Sequence, residues 1–180
     1  VNLLTKKYFL FFKKKRKIDK EKRLFNKKLG GGSILDLGCY PVSFITMLLE
    51  KFNCISFEDY KIMNKKVEIG ETGVDIDSKI EMKAKGSIII KLSSSFKENM
   101  GSATEIQGSR GSIKISNTWA GSSSIIHKKE NNKNIIRFDK IDDIYSDQLN
   151  IISNDLINES IGQDMDNMLL NMKIIDKWLN

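Results

Sequence analysis

The chain has 180 residues and 20.6 kDa, with 40% hydrophobic and 29% charged residues, enough apolar material for one packed domain. Twelve glycines and one proline beside isoleucine-rich stretches exclude collagen-like, mucin-like and disordered architectures. The formal charge of +7 is polarised: residues 1–30 hold 12 Lys/Arg and 2 Asp/Glu, whereas residues 31–180 hold 18 and 21, so the body is mildly acidic.

In chain order, Leu3 to Phe12 mixes β-branched, aromatic and lysine residues and predicts a strand, and the lysine-rich stretch from Lys13 to Lys28 predicts an exposed connector. Gly30, Gly31 and Gly32 break the chain. Ile34, Leu37, Val42, Ile45, Leu48 and Leu49 then recur at helical spacing over Ser33 to Phe52. Pro41 cannot donate to the carbonyl four residues back, so this helix is expected to be kinked or irregular near Leu37. Between Asn53 and Asp139 the period changes to two. Val74, Ile76, Ile80 and Met82, then Ile88, Ile90 and Leu92 after Lys85-Gly86, predict a hairpin. Further hairpins are expected around Gly108 to Gly111 and around the polar turn Glu130 to Lys133. The fold class is therefore α+β: a mostly antiparallel sheet covered by helices on one face and open on the other, the open face being a candidate interface. Met165, Met168, Leu169, Met172, Ile175 and Leu179 complete the chain as an amphipathic helix whose methionine stripe is expected to pack in the core.

Composition limits the partners. Only Arg16, Arg23, Arg110 and Arg137 are arginine, so the basic end lacks the guanidinium forks that read phosphates and guanines, and no nucleic acid is expected. Cys39 and Cys54 are too few for a zinc knuckle or redox pair and predict buried, reduced thiols. The apolar run Tyr8 to Phe12 falls far short of the roughly 20 residues that span a bilayer, which predicts a cytoplasmic chain with no membrane partner. His127 has no ligand-spaced neighbour and reads as surface; Asp75 and Asp77 read as solvated carboxylates; no metal is expected. The chain begins Val-Asn and enters strand-like sequence at once, as if a segment precedes it.

Unusual features coincide only from Leu29 to Pro41. Three glycines allow another chain, a cofactor or a substrate to approach the backbone closely at Gly30, Gly31 and Gly32. They form neither the G-x-G-x-x-G of a dinucleotide site nor a Walker loop. Asp36 and Tyr40, four apart, fall on one helical face, where a carboxylate and a phenol can act on one small molecule. The same residue types also suit a helix cap and a half-buried anchor.

The run GGGSILDLGCYPVSF, with Arg23-Leu24-Phe25 before it, Thr72-Gly73-Val74-Asp75, Gly108-Ser109-Arg110-Gly111 with Trp119 downstream, and Asn171-Met172-Lys173, resembles the C-terminal half of the Gfo/Idh/MocA oxidoreductases across nearly the whole chain. The resemblance implies that residues 1–180 are a C-terminal substrate-binding and oligomerisation domain, with the N-terminal Rossmann domain absent from this chain. It implies an NAD(P)-dependent oxidoreductase acting on a sugar, polyol or related hydroxy compound, inactive without its own Rossmann domain. NAD or NADP would be bound mainly by that missing domain, and a homodimer or higher oligomer would form through the open sheet. Carried over, Asp36 matches the family's active-site aspartate and orients substrate, and Tyr40 is the proton donor or acceptor. Arg23 is placed to hold a substrate oxygen or to lie solvated, and Trp119 to line the substrate pocket or pack in the core. The family's lysine in a Glu-Lys-Pro motif has no counterpart here, and a phenol with an ordinary pKa near 10 needs a nearby cation to act as a base at neutral pH. The alternative to the enzyme reading is a non-catalytic dimerisation or binding module.

Overall fold

The computed structural model describes residues 7–51, 60–84, 88–98, 101–122, 124–139, 145–158 and 165–180. Eight strands form one sheet: β1 (Lys7–Lys13), β2 (Lys61–Ile69), β3 (Asp75–Ala84), β4 (Ile88–Ser95), β5 (Gly101–Gly108), β6 (Gly111–Ser116), β7 (Ser124–Lys129) and β8 (Asn132–Arg137). Their order is β2-β3-β4-β1-β5-β6-β7-β8. β1 enters the centre, parallel to β4 and antiparallel to β5, while every other pairing is antiparallel. The three expected hairpins are present as β3–β4, β5–β6 and β7–β8.

Period-two alternation decides which face is covered. Leu10, Ile80, Met82, Ile88, Ile90 and Leu92 are buried in one cluster with Ile34 from the turn before the first helix, Val42, Ile45 and Leu49 from that helix, and Leu170, Ile174, Ile175 and Trp178 from the last. Those helices are α1 (Cys39–Lys51) and α3 (Met165–Leu179), and they pack on each other over the central strands. Thr46 Oγ1 donates to Asn171 Oδ1 at 2.6 Å, and Asn167 Nδ2 to Glu50 Oε2 at 2.8 Å. Gly38 admits α3, because a Cβ there would sit 3.0 Å from Trp178 Cζ3. The Trp178 indole is fully buried, and its Nε1 donates to Ser78 Oγ at 2.7 Å, so its one polar atom is paired. On the opposite face Phe9, Asn64, Lys66, Lys79, Glu81, Lys91 and Ser93 line a shallow open pocket, with Lys91 bonded to Glu81 at 2.8 Å.

Several sequence expectations are corrected. The methionine stripe of α3 faces outward: Met168 and Met172 are each 60% exposed, and the buried residues are Leu170, Ile174, Ile175 and Trp178. The Met165 side chain, Cys54 and the Lys85-Gly86 turn lie outside the described residues. The helical run Lys27–Lys51 is long and apolar enough to match a membrane span, which the sequence reading did not find; 56% of its apolar window is buried inside the molecule, as in a core helix. The connector is mostly exposed, yet Phe25 is buried and packs against Phe96 in a tilted pair with ring centroids 5.5 Å apart, in a second small cluster with Leu37 and Val74. Two elements were not anticipated: β2, and the helix α2 (Ser146–Ile157), which buries none of its residues.

Candidate functional site

The segment that starts at Gly30 is buttressed by residues 23–26 and by β3 of its own chain. Gly30 ends a short 3₁₀ turn (Lys27–Leu29) in the left-handed region at φ 69°. At Gly31 a Cβ would lie 2.6–2.9 Å from backbone atoms of Arg23, Leu24 and Asn26. At Gly32, φ is 123°, and a Cβ would strike the carboxylate of Asp75. The close approach thus comes from residues 23–26 and from β3, which leaves no space at Gly31 or Gly32 for a cofactor phosphate.

Asp75 is the polar centre of this start. Only 5% exposed, it accepts from Ser33 Oγ and from the Ile34 amide, both at 2.7 Å, while Ser33 Oγ also meets Ser94 Oγ at 3.1 Å. A carboxylate on an otherwise unpaired N-terminal amide caps the helix from a different strand and complements its dipole. This overturns the expectation that Asp75 is solvated. Immediately after it, Ile34–Gly38 forms a π-helical turn, and α1 begins at Cys39. The irregularity expected from Pro41 falls there, since Pro41 has no amide to give to the Leu37 carbonyl. Such π turns widen one side of a helix and occur often at functional sites.

Asp36 projects from the π turn. Arg23 Nη2 donates to its Oδ1 at 2.8 Å, and Arg16 Nη2 stands 3.6 Å from its Oδ2; the carboxylate is 17% exposed. Arg23 is therefore ion-paired rather than freely solvated. Tyr40 is 46% exposed, with its ring 6.1 Å from Trp119, whose indole meets Phe44 edge-on at 5.5 Å. Trp119 borders the main core cluster as well, so it packs in the core and flanks Tyr40 at once. Burial pushes the Tyr40 phenol above its ordinary value, and the charges of Cys39, Tyr145 and Asp36 add to the effect. Tyr40 thus holds its proton at neutral pH. Burial likewise raises the Cys39 thiol, whose Sγ lies 3.8 Å from the Asp36 carbonyl oxygen. The structure brings Arg23, Asp36, Tyr40 and Trp119 to one end of the helix layer. Sequence reasoning gave Arg16 no part in the site and read Asp75 as solvated, since nothing local in the sequence links residue 75 to residue 33.

An open, mostly antiparallel sheet with helices on one face, carrying a polar cluster at a π-distorted helix start, defines an α+β domain. The family model of the GFO/IDH/MocA C-terminal domain matches residues 8–114, more than half of the chain, and the chain belongs to that family. It is 36% identical over 114 residues to trans-1,2-dihydrobenzene-1,2-diol dehydrogenase from Xenopus tropicalis, covering 63% of this chain and 33% of that protein. The Xenopus laevis enzyme of the same name is 35% identical over 111 residues, covering 60% and 31%. The chain therefore spans about a third of the length of these curated relatives. Among solved structures, a 3-ketoreductase from Actinomadura kijaniata in complex with NADP and TDP-benzene superposes with a TM-score of 0.82 at 11% identity, covering 97% of this chain and 54% of that one. An aldose-aldose oxidoreductase from Caulobacter crescentus superposes with a TM-score of 0.76 at 14% identity, covering 96% and 51%.

Proposed function

We propose that this chain is the substrate-binding and oligomerisation half of an NAD(P)-dependent oxidoreductase acting on a sugar, polyol or related hydroxy compound. The observation that carries the reading is the half-exposed Tyr40 phenol, kept protonated, one turn from Asp36 on a π-distorted helix start. Tyr40 Oη gives its proton to the oxygen of a carbonyl being reduced, or takes one from a hydroxyl being oxidised. Asp36 orients that substrate, Arg23 holds one of its oxygens, and Trp119 lines its apolar side. A nicotinamide, when bound, supplies or takes the hydride. The filled space at Gly31 and Gly32 does not fit the phosphates of NAD or NADP, so the cofactor belongs to a separate Rossmann domain. The raised phenol also means that base catalysis needs a cation from that domain. The open face of the sheet, with Phe9 among lysines, is the surface for a second copy.

Calorimetry of this chain with NADH and NADPH tests the division of labour. No saturable heat is expected from either; a micromolar dissociation constant would contradict it.

A further inference from the structure

Apart from Phe25 in the small core cluster and Arg23 at the proposed site, the basic charge of the connector is unused by the fold and by the proposed chemistry. Residues 14–28 hold nine Lys/Arg against two Asp/Glu, a net of +7. The segment passes across Asp36: Lys14 and Arg16 amides donate to the Ser95 and Phe96 carbonyls at 3.0 and 2.8 Å, and Arg23 closes on Asp36 from the far side. Lys22 pairs with Asp19 at 3.3 Å, whereas Lys14, Lys15, Lys17, Lys20, Lys27 and Lys28 have no ion-pair partner among the described residues. Two guanidinium groups share one carboxylate, which leaves a surplus positive charge around Asp36. Arg16 is the less satisfied of the two. Its contact with Asp36 is 3.6 Å, longer than the 2.7–2.9 Å typical of a charge-assisted hydrogen bond, and its buried Nε has no partner. Arg23 is 54% exposed, and beyond Asp36 its Nη1 has only the Gly30 carbonyl at 3.4 Å.

A guanidinium carries five donors and no acceptor, so unfilled donors at an arginine pair are best met by anionic oxygens. We infer that the compound taken beside Asp36 and Tyr40 carries an anionic oxygen group, a carboxylate or a phosphate, held by Arg16 and Arg23. The inference rests on the reading of Asp36 and Tyr40 as a substrate site. The connector's lysines add a positive field that concentrates anions at the site, and Asp36 holds the two arginines until the ligand displaces part of that pairing.

The test uses three matched probes, glycerol 3-phosphate, glycerate and glycerol, titrated calorimetrically into the full chain. At least one charged probe is expected to bind once per chain, with glycerol weaker by about ten-fold or more. The phosphate and carboxylate arms identify the preferred group. Arg23→Gln should weaken the charged probe by about ten-fold or more. Asp36→Asn should tighten it, because it frees both guanidinium groups. The paired change Lys20→Gln with Lys27→Gln should weaken it by less than about five-fold, as expected for solvated charges. The inference is overturned if no charged probe binds at about 10 mM, if glycerol binds equally well, if Asp36→Asn weakens binding, or if the lysine changes cost as much as Arg23→Gln. It is also overturned if a DNA duplex binds and excludes the small anions. Binding is read without turnover, so failure here leaves the proton role of Tyr40 standing, and a Tyr40 without that role leaves these affinities unchanged.

Discussion

Removing the Asp75 carboxylate tests how the site is built. Asp75→Ala deletes two 2.7 Å hydrogen bonds, leaves the buried Ile34 amide unpaired and removes a negative charge from a helix N-terminus. Hydrogen bonds to charged groups are worth about 1.5–3 kcal/mol each, and Ser33 keeps Ser94 as a partner, so a net loss of about 3 kcal/mol is expected. For a chain of this size that lowers Tm by about 6–12 °C. Gly32→Ala alone should also destabilise, by about 2 kcal/mol, because it sets a Cβ against the same carboxylate at φ 123°. Combined, the two changes relieve that clash and leave only the backbone strain, so the double variant should be more stable than the sum of the singles by about 1 kcal/mol or more. Asp75→Asn, which keeps the volume, should give no such relief. Urea denaturation of the four proteins supplies the cycle. Additivity within about 0.3 kcal/mol would refute the reasoning.

Two further outcomes follow from the charges and surfaces. Cys39 and Tyr40 are raised above their ordinary values of 9.0 and 10.0, so the folded chain holds those protons more tightly than the unfolded one. Stability should therefore be indifferent to these groups below pH 9 and fall as pH rises through their ordinary values; a urea midpoint that rises between pH 9 and 11 would contradict this. The uncovered sheet face and the wholly exposed edge strand β8, with Ile135 and Ile136, should drive self-association, so sedimentation at about 100 µM is expected to give a dimer or larger species and not a monomer.

What was legible in the sequence, and what was not, follows from the range of the interactions. Hairpins announced themselves because Ile80 and Met82 face Leu92 and Ile90 across adjacent strands, so the alternation of one strand repeats in the next. Pro41 marked the distorted helix because its effect is covalent and local. β2 escaped notice because it is bulged at two places and sets lysines against lysines, Lys61 on Lys83 and Lys66 on Lys79, so its alternation is broken. α2 was invisible because it buries nothing. In α3 two stripes share helical spacing: Met168 and Met172 on one side, Leu170, Ile174 and Trp178 on the other. Residues two apart point to opposite sides, so spacing alone could not choose, and the pocket left by Gly38 for Trp178 decides it. The cap on Ile34 comes from 41 positions away, and the arginine pair on Asp36 from 13 and 20; no local pattern encodes either.

The central claim is that Tyr40 moves the proton, and Tyr40→Phe tests it most directly in the chain joined to the cofactor-binding domain proposed for it. The change removes one oxygen and keeps the ring against Trp119, so the melting temperature should barely move. General acid-base assistance is worth about 10² to 10⁴ in rate, so kcat should fall by that factor with a smaller change in KM. A Tyr40→Phe protein that turns over at the parent rate, or one that loses stability while keeping its activity per folded molecule, would contradict the account.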